Sequence, residues 1–202
     1  MPYTVVGALK SRAIRVLWML EELEQDYEHI PALPRSAEAF EHHPDGKVPA
    51  LLVDGEALTD SVAIITFLAD RHGAMTYPAG TIERARQDGF TQLAVDEAEG
   101  ALWTAAKHTF VLPEALRVKE VKRACNAEYG LAMERLAKRL GDGPFVMGER
   151  MTVPDILFGQ MAGWSRAAGF DQPEGKVADY HAMLVERPAF RRAIERAKER
   201  AA

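Results

Sequence analysis

The pattern of apolar and polar positions predicts a strand, a helix and a second strand at the start of the chain. Residues 3–6 are aromatic or β-branched, which is typical of a strand. Apolar residues then recur at helical spacing from Ala13 to Leu23, and residues 27–30 alternate again. This order predicts a βαβ unit.

A β-hairpin and a further helix are predicted next. The apolar residues 50–53 are followed by Asp54-Gly55 and then by residues 56–58. An Asp-Gly pair between two such runs is a strong indication of a hairpin. Asp60-Ser61 predicts the start of a helix, and His72-Gly73 predicts its end. The first third of the chain therefore has the predicted order βαβ followed by ββα.

The remainder of the chain has no strand pattern of useful length. Prolines and glycines divide it into predicted helices over 82–111 and 113–140 and shorter ones from about 152, 176 and 188. We therefore predict a fold of class α/β plus all-α, with an α/β domain over residues 1–74 and an all-helical domain over residues 82–202.

Composition excludes several classes of protein. The chain has 202 residues, and its 25 Lys and Arg against 30 Asp and Glu give a net charge of −5, so no basic field is available for nucleic acid. A single cysteine, Cys125, forms neither an internal disulfide nor a Cys/His metal cluster, so no metal is expected. The sequence shows no export signal and no apolar run long enough for a membrane helix. A cytoplasmic protein without a membrane partner is expected.

Two short stretches combine features of a binding site. Val48-Pro49 precedes the apolar residues 50–53, where a proline either begins an edge strand or forms a tight turn with a cis bond. Asp60-Ser61 either caps the following helix or, with the free N–H groups of that helix, binds an anion. A bare backbone edge beside an anion pocket suits an extended peptide with a terminal carboxylate.

Several of these stretches resemble the cytosolic glutathione transferases. Residues 46–51 (GKVPAL) followed by 58–64 (LTDSVAI) resemble the family's glutathione-binding signature, and residues 11–23 resemble the first helix of bacterial and fungal members. In the second part, residues 98–102 resemble a segment of the family's long helix and residues 148–156 its capping-box motif. The resemblance implies a thioredoxin-like domain followed by a helical domain, the same order of elements that the pattern predicts.

The resemblance also implies how glutathione is bound. The backbone of Val48, held by Pro49, would pair with the cysteinyl part of glutathione. Asp60 and Ser61 would take the γ-glutamyl end, with Ser61 and the helix N–H groups at the carboxylate and Asp60 closer to the ammonium. The glycyl carboxylate would meet Lys47 and, as further candidates, Arg35 or His43.

The resemblance implies a serine for activation of the glutathione thiol. Tyrosine-type members have their tyrosine at the end of the first strand, where this chain has Gly7. In serine-type members the hydroxyl lies four residues before an arginine of the first helix, and Ser11 stands four residues before Arg15. A serine before a helix is also a common N-cap. We expect Ser11 to be the catalytic residue.

The resemblance implies a glutathione transferase that conjugates the glutathione thiolate to, or reduces, small hydrophobic electrophiles held by the helical domain. The candidates for their pocket are Trp103, His108, Phe110 and Trp164, each of which also fits a packing or surface position. The family usually forms homodimers, so a homodimer is expected. Two alternatives to a transferase remain: a glutathione-dependent isomerase or peroxidase, of which the isomerase is disfavoured because the chain lacks a Ser-Ser-Cys opening, and a non-catalytic binding or scaffold protein.

Overall fold

A computed structural model gives the structure of residues 3–201. Met1, Pro2 and Ala202, at the outer limits of the two expected domains, lie outside the described residues. The first part of the chain contains four strands and three helices: β1 (Tyr3–Val6), α1 (Ala13–Glu22), β2 (Tyr27–Ile30), α2 (Ala37–His42), β3 (Ala50–Val53), β4 (Glu56–Thr59) and α3 (Ser61–His72). The predicted βαβ and ββα units are both confirmed. Between them, α2 was not predicted; its N-cap is Ser36, whose hydroxyl accepts a hydrogen bond from the N–H of Ala39 over 3.3 Å.

The strands form one mixed sheet in the order β2-β1-β3-β4. β1 is parallel to β2, whereas β3 is antiparallel to both β1 and β4. The hairpin between β3 and β4 turns at Asp54 and Gly55, whose φ angles of 52° and 86° suit the residues expected in such a turn. Gly73, with a φ of 60°, ends α3 in the left-handed conformation that the sequence predicts.

The rest of the chain is helical, and its bounds differ from the prediction in one place. Its helices are α4 (Ile82–Gln92), α5 (Gly100–Ala106), α6 (Val121–Arg139), α7 (Val153–Ala167), α8 (Gly175–Val185) and α9 (Pro188–Ala201), with π-helical turns over Leu93–Glu99 and Lys107–Val111. A helix beginning at Pro113 was wrong, because α6 begins only at Val121. Leu112 has an extended backbone, as a residue before proline prefers, and Glu114–Leu116 forms only a short 3₁₀ turn.

Contacts divide the chain into two compact units. One is formed by Met1–Thr76 together with Val185–Ala202, and the other by Tyr77–Leu184. The last helix, α9, which the sequence assigned to the all-helical domain, therefore clusters with the sheet-containing unit. Its contacts there are with α1 and β2.

Each unit has its own apolar interior. In the first, α1 is buried along nearly its whole length, and the fully buried ring of Trp18 contacts Phe190 of α9 edge-on at 4.8 Å. In the second, Phe158 of α7 contacts Tyr180 of α8 at 6.3 Å. The predicted start of α7 at Thr152 is confirmed: the N–H of Thr152 donates to the Asp155 carboxylate over 2.7 Å.

Candidate functional site

The register of the sheet brings the motifs predicted from the sequence to one edge. Val6 at the end of β1 lies opposite Ala50 at the start of β3, and Ala50 lies opposite Thr59 at the end of β4. The residues that extend these strands are therefore neighbours. They are the loop that begins at Gly7, the Val48-Pro49 pair and the Asp60-Ser61 pair.

Gly7 leaves β1 in a conformation that only glycine adopts readily. Its φ is 148°, and a Cβ atom at this position would lie 2.8 Å from the Cβ of Ala13 and 3.1 Å from the Cβ of Val48. A tyrosine side chain does not fit here without a shift of α1 or of the Val48 loop. The geometry agrees with the expectation that this chain does not use a tyrosine at the end of β1.

Ser11 lies in the turn that connects Gly7 to α1. Its hydroxyl donates a hydrogen bond to the carbonyl of Ala8 over 2.7 Å and accepts one from the N–H of Ala13 over 3.1 Å. The side chain is half-buried. Ser11 therefore closes the turn before α1 in this structure, and its proton reaches another acceptor only after the hydroxyl rotates away from Ala8.

Val48 and Pro49 form the turn before β3. The peptide bond between them is cis, one of the two forms that the sequence left open. The ladder pairing of β3 begins at Ala50, so both residues lie beyond the paired part of the strand. Pro49 is buried, whereas Val48 is half-buried. The backbone of Val48 thus lies at the sheet edge, in the position the resemblance implies for pairing with a peptide.

Asp60 caps α3 with its side chain. Its Oδ1 accepts hydrogen bonds from the N–H groups of Val62 and Ala63, over 2.9 and 3.1 Å, and its φ of 69° is unusual for a residue other than glycine. These two N–H groups are therefore already engaged. In this structure Asp60 fulfils the capping alternative that the sequence left open for the pair.

Arg15 also belongs to the site, although its position in the sequence served only to identify Ser11, four residues earlier. It is 1% exposed, and its Nη1 donates a hydrogen bond to the hydroxyl of Ser61 over 3.2 Å, while Ser61 itself is 3% exposed. A buried guanidinium is costly unless it is hydrogen-bonded. One signal in the sequence points to this role: Arg15 is the charged residue inside the otherwise apolar stretch 13–20.

The two cations expected at the glycyl carboxylate lie close together along the backbone. The N–H of Arg35 donates to the carbonyl of Gly46 over 2.7 Å, which brings Arg35 next to Lys47. Both side chains are exposed, and Lys47 forms a 3.6 Å ion pair with Asp45. His43 has a different task, because its Nδ1 accepts the N–H of Asp45 over 3.0 Å.

The residues expected to hold an electrophile all lie in the second unit. Trp103 in α5 is 36% exposed and Phe110 is 66% exposed, so neither is a core residue. His108 is half-buried, and its Nδ1 accepts a hydrogen bond from the N–H of Val118 over 3.0 Å. Trp164 is half-buried in α7, on a different helix. The structure thus groups three of the four along one segment.

Across residues 3–201 no three histidine, cysteine or acidic side chains are arranged to hold a metal ion. In the same part of the chain, no helix has both the length and the apolar character that crossing a bilayer requires.

Comparison with known proteins assigns the family. A family model described as glutathione S-transferase, N-terminal domain, matches residues 11–71. A maleylacetoacetate isomerase from Rhizobium meliloti is 31% identical over 158 residues, which cover 72% of this chain and 73% of that protein. The chain belongs to the cytosolic glutathione S-transferase family.

Further relatives of this glutathione S-transferase support the same assignment. Glutathione S-transferase GstA from Escherichia coli O157:H7 is 27% identical over 77% of the chain and 76% of its own length. The crystal structure of a theta class glutathione S-transferase from Xanthomonas axonopodis pv. citri, with glutathione bound, superimposes with a TM-score of 0.78. It is 26% identical and covers 96% of this chain and 98% of its own. The expected family, the thioredoxin-like fold with a helical domain and the status as an enzyme are confirmed.

Proposed function

We propose that this enzyme conjugates the thiolate of glutathione to small hydrophobic electrophiles, as a homodimer in the cytoplasm. The observation that carries this proposal is the meeting of the Gly7 loop, Val48-Pro49 and Asp60-Ser61 at one sheet edge. Glutathione is an extended peptide with a carboxylate at each end, which suits a bare backbone edge flanked by cations. We assign its binding to the domain expected over residues 1–74, and electrophile binding to the helical domain expected over 82–202.

The proposed roles follow the chemistry of each group. The backbone of Val48, with Pro49 holding its turn, pairs with the cysteinyl residue. Ser61 binds the γ-glutamyl carboxylate, and the Asp60 carboxylate attracts the ammonium. The exposed Lys47 and Arg35 bind the glycyl carboxylate.

The buried charge of Arg15 adds to the attraction for the γ-glutamyl carboxylate. Its guanidinium donates to the Ser61 hydroxyl, so that hydroxyl keeps its own proton available for a carboxylate oxygen. Arg15 thereby acts as a positioning residue for Ser61.

Ser11 is the proposed catalytic residue. Lowering a thiol pKa from about 8.5 to about 6.5 requires roughly 2.7 kcal/mol of preference for the thiolate. A hydrogen bond to a charged group contributes roughly 1.5 to 3 kcal/mol, whereas a neutral bond such as that to the Ala8 carbonyl contributes about 1 kcal/mol. Exchanging the carbonyl for a thiolate is therefore favourable, and the positive end of α1 contributes in the same direction.

The proposed reaction needs no general base. The thiolate sulfur forms a bond to the electrophilic carbon, and the leaving group departs with its electron pair, for example as chloride. The enzyme contributes orientation and stabilisation of the thiolate. On the helical side, Trp103, His108, Phe110 and Trp164 are the proposed contacts of the electrophile.

A second candidate activity is a glutathione-dependent isomerisation. Its support is the naming of two relatives as maleylacetoacetate isomerases, one from Rhizobium meliloti and a probable one from Caenorhabditis elegans that is 24% identical over 89% of this chain. In such a reaction the thiolate adds to a double bond and is later expelled, so glutathione is regenerated. Measuring whether glutathione is consumed in proportion to product separates conjugation from isomerisation.

The test of the proposed function combines thiol titration with conjugation of a chlorodinitrobenzene. We expect Ser11→Ala to raise the pKa of bound glutathione by about one to two units, because it removes a hydrogen bond to the charged sulfur. Ser36→Ala makes the same chemical change at the start of α2 and serves as the control. Equal thiol pKa values and equal rates in wild type and Ser11→Ala would exclude Ser11 as the catalytic residue.

A further inference from the structure

Four exposed apolar side chains occur within nine residues of the segment that follows α5. Phe110 is 66% exposed, Val111 39%, Leu116 61% and Val118 47%. We call these four side chains the apolar surface. Single exposed apolar residues are ordinary, whereas several in one short segment are a candidate surface for binding another molecule.

Hydrogen bonds between two side chains and the backbone fix the segment beneath the apolar surface. The guanidinium of Arg117 donates from Nε to the carbonyl of Leu112 over 2.7 Å and from Nη2 to the carbonyl of Phe110 over 3.2 Å. The N–H of Val118 donates to Nδ1 of His108 over 3.0 Å. The apolar side chains are therefore presented by a closed and hydrogen-bonded segment.

The segment that carries the apolar surface is rich in positive charge. Residues 107–123 contain five cations and two acids in a chain whose net charge is −5. The cations are Lys107, Arg117, Lys119, Lys122 and Arg123, and the acids are Glu114 and Glu120. Among residues 3–201 no carboxylate forms an ion pair with any of the five cations.

Arg117 is the cation best placed to serve a ligand on this surface. Its contact with the Phe110 carbonyl holds its guanidinium beside the apolar surface, and its Nη1 forms no hydrogen bond with the described part of the chain. A guanidinium presents N–H donors in a planar fork that matches a carboxylate. The segment therefore combines an apolar contact area with an unused donor for an anion.

We propose that the apolar surface and Arg117 bind the electrophile and select amphipathic anions: electrophiles that combine an apolar ring or chain with a carboxylate. This inference rests on the proposed function and adds a substrate class to it. The apolar body covers Phe110 and Leu116, and the carboxylate pairs with Arg117 in a field that the neighbouring lysines strengthen.

The first test compares two electrophiles with the same leaving group, a neutral chlorodinitrobenzene and a chlorodinitrobenzoate. Each rate is divided by that of the uncatalysed reaction with glutathione, which cancels intrinsic reactivity. We expect Arg117→Gln to lower kcat/KM about tenfold more for the benzoate than for the neutral compound, mainly through KM. A loss common to both compounds reports the missing hydrogen bonds to the carbonyls of Leu112 and Phe110. Arg117→Lys keeps most of the preference, because it keeps the charge.

Lys138→Gln removes an exposed cation on α6, outside the segment of the apolar surface, and is the matched control, for which both ratios stay unchanged. A wild type without preference for the benzoate, or an Arg117→Gln variant that loses both activities equally, would overturn the proposal.

The second test does not depend on glutathione. The chlorodinitrobenzoate is titrated into the enzyme without glutathione while NMR signals of the Phe110 and Val118 backbones are followed. We expect these signals to shift when the benzoate is added to wild type. The apparent Kd obtained from the shifts should be about tenfold higher in Arg117→Gln. If these signals do not shift at millimolar benzoate, the substrate assignment is wrong, even if the neutral compound is conjugated. If the signals shift clearly but neither compound is conjugated, the proposed function is wrong, whereas the binding of the benzoate to this surface is supported.

Discussion

The buried guanidinium of Arg15 donates a hydrogen bond to the buried hydroxyl of Ser61, which joins α1 to the first residue of α3. Both groups have left water, so each depends on the other for part of its hydrogen bonding. The contact lies at the sheet edge where the predicted glutathione-binding residues meet. It therefore links the stability of this edge to its proposed function.

A double-mutant cycle measures this contact. We expect Arg15→Gln and Ser61→Ala to destabilise the enzyme with a coupling energy of about 1 to 2 kcal/mol, because each variant removes one partner of a buried, charge-assisted hydrogen bond. Urea unfolding of the wild type, both single variants and the double variant gives the value. Arg15→Gln combined with Ser36→Ala is the control pair and should be additive. Additivity of Arg15→Gln with Ser61→Ala would show that the two side chains are not coupled.

Comparing the loss of two helix caps distinguishes a structural role of Asp60 from a role in binding glutathione. Asp60→Ala removes the hydrogen bonds to Val62 and Ala63 and should cost about 1 kcal/mol of stability, as losing an N-cap usually does. Thr81→Ala removes the corresponding cap of α4, a 3.2 Å bond from the N–H of Arg84, and should cost a similar amount. We expect calorimetry to show weaker glutathione binding only for Asp60→Ala. Equal binding by the two variants would leave Asp60 with capping alone.

The sequence predicted the elements that depend on local patterns. Asp54 and Gly55 favour the positive φ angles that the hairpin turn requires, and Gly73 favours the positive φ with which α3 ends. The sheet edge of the site was predictable because the motifs adjoin strand ends, and antiparallel pairing of β1 with β3 brings those ends together.

Features set by tertiary contacts were not predictable in the same way. The burial of Arg15 depends on α3 lying against α1, and the sequence shows only a charge within an apolar stretch. The grouping of α9 with the first unit involves contacts between residues more than 160 positions apart in the chain. They are the ion pairs of Arg187 with Glu22 and of Arg192 with Glu21 and the ring contact of Trp18 with Phe190. The start of α6 was misplaced because the residues after Pro113 resemble a helix in composition, although Leu112 is extended.

Glu21 anchors α9 by a network that acid should release. The carboxylate accepts hydrogen bonds from Arg192 over 2.8 Å, Arg196 over 2.7 Å and Tyr27 over 3.0 Å. Burial by itself raises the pKa of Glu21, but the hydrogen bonds from Arg192, Arg196 and Tyr27 together outweigh it and hold the pKa below its usual value. Because the pKa is lowered on folding, this stabilisation is present at neutral pH and is lost as the pH falls below about 4.5.

We therefore expect Glu21→Gln to destabilise the enzyme at pH 7 by roughly 1 to 3 kcal/mol, since its arginine partners are half-exposed and partly screened by solvent. The difference in the free energy of unfolding between this variant and wild type should become smaller below about pH 4. Hydrogen exchange of the α9 backbone is the direct readout and should accelerate. Glu28→Gln, on the exposed face of β2, is the control. Unchanged exchange of α9 in Glu21→Gln would show that the apolar contacts of Trp18 and Phe190 hold the helix alone.

His181 in α8 should make stability depend on pH in a higher range. Burial lowers its pKa to about 4, and the nearby charge of Arg166 acts in the same direction, while its Nε2 has no hydrogen-bond partner within residues 3–201. The unfolded chain binds a proton at an ordinary histidine pKa of about 6.5, so stability falls as the pH decreases from about 6.5 to about 4. Between pH 7 and pH 5 this loss amounts to about 2 kcal/mol. We expect His181→Leu to remove that part of the loss in urea unfolding, whereas His42→Leu, which removes a more accessible histidine, keeps it. A His181→Leu variant that loses as much stability as wild type over this interval would show that the imidazole is not the group responsible.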